Sequence, residues 1–182
     1  MFIFKEDKLD EKLVVATRNE FDFLKTQIEQ NLTLKKQLTI PLKELPQYNH
    51  LYTGLPHVGE HSLLAVLEFL VIEGDSKLLF SKAGNQFTGF IAYMEKGKII
   101  FGIKMASFFD DKVKANNILA NDLRNFINKE MPKHDVIEWE VEKDNKHAID
   151  LYQKAIPKWF PQYILNWNWS SKINRWIYTL KK

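Results

Sequence analysis

Residues 8–37 are rich in Leu, Lys, Glu and Gln and hold neither Pro nor Gly, and Phe21, Leu24, Ile28 and Leu32 recur at steps of three and four. Apolar positions at that spacing share one helix face, so the stretch predicts one or two amphipathic helices. Between Thr39 and Gly59 stand Pro41, Pro46, Gly54, Pro56 and Gly59, which predict a loop or short turns leading into a helix over residues 60–73. Leu63, Leu64, Val66, Leu67, Phe69 and Leu70 make that helix apolar nearly all round, the mark of a buried element.

The pattern changes near residue 75. Strands are predicted over 77–82, 87–95 and 98–108, and Ala83-Gly84-Asn85 and Lys96-Gly97 are turns short enough to make them successive antiparallel hairpins. Asp110 or Asp111 then caps a helix to about residue 130, whose Ala115, Leu119, Leu123, Phe126 and Ile127 share a face and which Pro132 ends. In a strand over 136–142, Ile137, Trp139 and Val141 face one way and Glu138 and Glu140 the other. Asp144 caps a second helix, striped by Ala148, Leu151, Tyr152 and Ala155 and stopped by Pro157. Two strands, 162–169 and 174–181, close the chain. The order predicts one α/β domain with a mixed sheet, mainly helical over 1–75 and built on the sheet over 76–182.

The chain of 182 residues is 45% hydrophobic and 27% charged, enough for a sizeable core. It has no cysteine, which excludes disulfides, thiolate metal sites and cysteine nucleophiles. Charges at Lys5, Glu6 and Asp7 interrupt the apolar start, and no run reaches the roughly 18 apolar residues of a membrane span, so the expectation is a cytoplasmic protein without membrane contact. A net charge of +3 is too small to argue nucleic-acid binding without local concentration.

The strand and helix Ile137-Glu138-Trp139-Glu140-Val141-Glu142-Lys143-Asp144-Asn145-Lys146-His147-Ala148-Ile149-Asp150-Leu151-Tyr152-Gln153-Lys154 resemble the GNAT-type N-acyltransferases, which move an acyl group from coenzyme A to an amine. They match that superfamily's apolar strand, Asn, Ala three residues later and Leu-Tyr-x-Lys. The resemblance covers about residues 77–181 and implies a mostly antiparallel sheet of six or seven strands flanked by helices. It implies acetyl-CoA or another acyl-CoA as co-substrate, a small-molecule or peptide amine as acceptor, and direct attack of that amine on the thioester, with no metal.

By the same resemblance Tyr152 protonates the departing thiolate and Asn145 lies near the pantetheine. Backbone from Met105, Ala106 and Ser107 polarises the thioester carbonyl, and Asp111, Lys112, Val113, Lys114, Ala115, Asn116 and Asn117 form the pyrophosphate loop. A phenol stays protonated at neutral pH and can donate to sulfur as charge builds there; packed at core spacing, Tyr152 can equally be a rim residue. The superfamily's loop is Arg or Gln, two residues, Gly, one residue, then Gly or Ala. No register here supplies those glycines; Asn116 and Asn117 fall near them, and Asn tolerates left-handed angles. Lys112 and Lys114 can offset phosphate charge. Glu138 and Glu140 are the nearest candidates for the base that takes the amine's proton, although solvated carboxylates alternating on an ordinary strand are the preferred reading of both.

His57-Val58-Gly59-Glu60-His61 matches the string of inverted zinc peptidases, but Pro56 and Gly59 make it a loop entering a helix, and a surface capping role is preferred. From Pro157 on stand Lys158, Lys172, Arg175, Lys181 and Lys182, no acid, and Trp159, Trp167, Trp169 and Trp176. Alternation reads these aromatics as core packing with a basic rim; a stacking surface for single-stranded nucleic acid and a homodimer contact are the alternatives. The expected function is acyl-CoA-dependent N-acyltransfer, with a non-catalytic ligand- or protein-binding module of the same fold second and nucleic-acid binding third.

Overall fold

The computed structural model describes residues 11–182. Seven strands form one sheet in the order β1-β2-β3-β4-β5-β7-β6, flanked by helices. They are β1 (Glu11–Val15), β2 (Lys77–Ala83), β3 (Gln86–Lys96), β4 (Ile99–Ser107), β5 (Val136–Glu142), β6 (Ile164–Ser170) and β7 (Arg175–Lys181). The helices are α1 (Arg18–Gln30), α2 (Leu32–Thr39), α3 (Leu63–Ile72), α4 (Lys112–Glu130), α5 (Lys146–Asp150) and α6 (Ile156–Trp159). Two compact units divide the chain, one running up to Ile91 and adding Met105–Asp122, the other Ala92–Lys104 with Leu123–Lys182, so β3 and β4 contribute residues to both.

In the first unit, Thr17 caps α1 by accepting from the Glu20 N–H, and α1 buries Phe21, Leu24 and Ile28, as the spacing predicted, whereas Leu32, expected on the same face, opens α2 and is 85% exposed. Phe21 meets Phe80 edge-on at 5.0 Å, and Phe80 meets Phe87 at 5.2 Å. A buried polar knot sits beneath: Ser81 donates its one hydrogen to Asp122 at 2.6 Å and accepts from the Thr88 hydroxyl at 2.8 Å.

Two expectations are corrected here. Glu11–Val15 is a strand, not part of a helix, because Leu13-Val14-Val15 pairs with β2 in the register Glu11↔Ala83 to Val15↔Leu79 and the β-branched pair suits a pleat. Residues 8–10 of the expected helix lie outside the described residues. Helix α3 is apolar all round but not buried all round: Leu63 and Leu67 are fully covered, whereas Phe69 is 58% and Ile72 77% exposed. Neighbours cover one side of it only.

In the second unit, Ile100, Ile127, Met131, Ile137 and Leu180 are fully buried, and Tyr93 meets Phe126 edge-on at 5.0 Å. Strand β5 pairs with β7 over seven residues, from Val136↔Lys181 to Glu142↔Arg175. With β4 it pairs in parallel at Ile99↔Val136 and Ile100↔Ile137. Two residues past that register Gly102 takes the left-handed φ of +62° in mid-strand, and any Cβ there would meet Met94 Cε at 2.5 Å.

The helix after β5 starts one residue later than expected, since Asn145, not Asp144, caps it by accepting from the Ala148 N–H at 3.1 Å. Pro157 does not stop it. Helix α5 opens into a π turn over Leu151–Ala155 and continues as α6, because a wider turn accommodates a ring that supplies no N–H. Rows Leu165, Trp167, Trp169 and Leu180, Tyr178, Trp176 are cross-strand partners on one side of the sheet, yet Trp167 stays 43% exposed on the terminal strand β6.

Candidate active site

Of the expected site residues, Met105, Ala106, Ser107 and Asp111 to Asn117 belong to the first unit, and Glu138, Glu140, Asn145 and Tyr152 to the second.

In the first unit, β4 ends with one edge on β3, where Phe108 N–H donates to Thr88 O at 2.8 Å. The carbonyls of Met105 and Ser107 are met by side chains from the 3₁₀ turn Pro46–Leu51: His50 Nε2 lies 2.9 Å from Met105 O, and the Tyr48 hydroxyl donates to Ser107 O at 2.7 Å. Tyr48 is 1% exposed, and burial first, then the Asp110 charge, pushes its phenol pKa up. No sequence motif marked these two residues. A Tyr and a His in a proline-led turn are the only signal, and their partners lie 59 and 55 positions away.

Next comes the α4 N-terminus. Asp111 caps it, as expected of Asp110 or Asp111: its Oδ1 accepts from the Lys114 N–H at 2.7 Å, and its carbonyl from Ala115. A carboxylate therefore stands among the amides that would face an anion. Lys114 Nζ lies over the Phe109 ring at 3.8 Å, and Lys36 is 4.0 Å from Asp110. Asn116 and Asn117 lie inside α4, and among the described non-glycine residues only Asn174 has a positive φ. The left-handed turn expected of the two asparagines is not formed, because a good cap at Asp111 starts the helix ahead of them.

In the second unit, Tyr152 sits in the π turn and packs edge-on against Trp139 at 5.4 Å and Tyr178 at 5.1 Å, while Trp139 and Tyr178 stack at 5.7 Å. Burial pushes the Tyr152 phenol pKa up, with a lesser push from Tyr178. Trp139 is 4% exposed and its indole Nε1 lies buried without a hydrogen-bond partner. Asn145 spends its carbonyl oxygen on the α5 cap. Glu140 and Glu142 flank Arg175, with N···O distances of 3.5 and 3.6 Å, and Glu138 stands opposite Thr179. Lys104 adds a second cation there, its amine pKa lowered by burial and by Arg175 against the pull of Glu140 and Glu142.

The zinc-like string does not assemble: His57 and Glu60 lie in a 3₁₀ turn, His61 is extended, and Glu60 pairs with Lys43 at 2.7 Å. Among the described residues, the grouping with metal-ligand types in reach of one another is Glu95, Glu130 and His134. His134 Nε2 lies 2.9 Å from Glu95 and its Nδ1 2.8 Å from the Glu130 carbonyl, so each ring nitrogen faces an oxygen. Sequence reading missed this trio because 39 positions separate Glu95 from His134.

No helix among the described residues is long and apolar enough to cross a membrane. No family model matches the chain, and comparison with curated proteins finds no match. Solved structures do match. The aminoglycoside acetyltransferase AAC(6')-Ib, in complex with coenzyme A, superposes with a TM-score of 0.57 at 12% identity, covering 94% of this chain and 94% of that one. An acetyltransferase from Thermus thermophilus gives 0.52 at 12% identity over 93% and 95%. The Campylobacter jejuni N-acetyltransferase PseH gives 0.50 at 16% identity over 94% and 98%. At such low identity the likeness speaks for architecture, and this chain has the fold of the GNAT N-acetyltransferases.

Proposed function

We propose that this protein is an acyl-CoA-dependent N-acyltransferase, acetyl being the default acyl group, that transfers to an amine by direct attack on the thioester. The observation that carries this reading is that the β4–β5 register reaches Ile100↔Ile137, with the left-handed Gly102 two residues further along β4. A strand released from its neighbour keeps unpaired edge groups that an extended, amide-bearing carrier can use. In this reading the β4 backbone over Met105, Ala106 and Ser107 takes the acyl-pantetheine, residues 111–117 meet the pyrophosphate, Asn145 lies by the pantetheine, and Tyr152 is the acid. The raised Tyr152 pKa keeps its proton in place at neutral pH. Of the two proposed bases, Glu138 is preferred, because Glu140 stands in the reach of Arg175.

A second reading, a non-catalytic ligand-binding module of the same fold, is favoured by one observation: Asp111 brings negative charge and a spent N–H to the α4 N-terminus. The two separate by experiment. Millimolar acetyl-CoA should raise the melting temperature by mass action, and a panel of amines should then release thiol. With no cysteine in the chain, a thiol-release assay has no protein background. A melting shift without thiol release from any amine supports the second reading, and no shift removes the first.

A further inference from the structure

This inference rests on the acyl-carrier reading of β4. One side of the strand's end is spent on β3: Phe108 donates to Thr88, and Ala106 O lies 2.5 Å from where a Cβ on Gly89 would stand. Pleat alternation therefore turns both the C=O and the N–H of Met105 and Ser107 to the opposite edge. An ordinary strand edge offers donors and acceptors in turn. On this one, the Tyr48 hydroxyl and the His50 imidazole engage the two carbonyls, so the edge is weighted toward N–H groups, the complement of an acyl oxygen.

The geometry points to Tyr48 and His50 as positioning residues of the acyl-carrier site, which hold the Ser107 and Met105 carbonyls so that their strand edge presents N–H donors to the thioester oxygen. Tyr48 suits this work. It is fully buried, its turn opens on Pro46, and its N–H donates to Leu45 O at 2.9 Å, so the hydroxyl is held in place before any ligand arrives. Donors fixed in advance need no reorganisation as charge develops, which is where such groups gain most of their effect.

The test is Tyr48→Phe, which keeps the ring and removes the donor, with His50→Ala as a second variant at a half-buried site in case the first does not fold. With acetyl-CoA and any amine the wild type accepts, each variant should lose about tenfold in kcat, the equivalent of one hydrogen bond, while the Kd for acetyl-CoA moves less than about threefold. An unchanged kcat with a lower Tm overturns the inference, since the contacts would then be structural only. Tighter acetyl-CoA binding in the variants also overturns it, because the two side chains would then compete with the carrier. If the wild type binds no acetyl-CoA, the carrier reading itself falls and takes this inference with it, a result distinct from either variant outcome.

Discussion

Gly102 takes φ +62° in the middle of β4, with Met94 Cε where a side chain would begin. Gly102→Ala should therefore cost at least about 1–2 kcal/mol from the left-handed angle alone, read as a lower urea midpoint; Gly97, equally left-handed but open around its Cβ, should tolerate Asn far better. Lys104 offers a charge test at the same scale. Its lowered pKa means that, between its folded value and the ordinary 10.5, the unfolded chain holds a proton the folded chain has released, so this group makes stability rise with pH. Urea unfolding followed upward in pH toward 10.5 should show wild type gaining on Lys104→Met; an identical trend in both proteins contradicts the assignment. Neither position drew attention in the sequence. Gly102 reads as one small residue in an apolar run, and the contacts that define Lys104, Tyr48 and His50 are made across the fold, where periodicity carries no information.

At the scale of elements, a helix's composition and its burial part company in α3. Leu67→Ala should cost about 2–5 kcal/mol as a core truncation, whereas Ile72→Ala, at an exposed position, should stay within about 0.5 kcal/mol. An all-apolar pattern states what a helix can bury, and only the placement of its neighbours decides what it does bury. Strand β1 escaped notice for a related reason: its partner β2 lies more than sixty residues ahead, and its five residues adjoin a strongly helical run. Helix α4, by contrast, was legible at its cap and in its second half, because Asp111 and the Leu123, Phe126 and Ile127 face are local signals; of the expected stripe, Ala115 and Leu119 are only half-buried and Ile118 and Ala120 are buried beside them. Asp111→Ser keeps a capping oxygen and removes the charge. If α4 receives phosphate, this variant should bind acetyl-CoA about threefold or more tighter by calorimetry, at nearly unchanged melting temperature. Weaker or equal binding would place the phosphates elsewhere.

For the molecule as a whole, burial pushes up the phenol pKa of Tyr48, Tyr93 and Tyr152 together. A phenol that resists ionisation when folded favours the folded state least where the unfolded chain ionises freely, so stability should fall as pH rises above the ordinary value of about 10. Absorbance at 295 nm should then report phenolate appearing together with unfolding; early, fully reversible ionisation of all tyrosines in the folded protein would contradict this. The architecture was readable from sequence because its hairpins, β5 and the Asn145 to Tyr152 helix are compact local patterns, and solved acetyltransferases superpose on the resulting fold. The candidate site was less readable: its residues could be numbered only by resemblance, and the Tyr48 and His50 contacts on β4 depend on tertiary geometry. The most direct measurement is hydrogen–deuterium exchange with and without acetyl-CoA. The account predicts new protection of backbone amides from Met105 through Lys114; unchanged exchange there while acetyl-CoA demonstrably binds would contradict it.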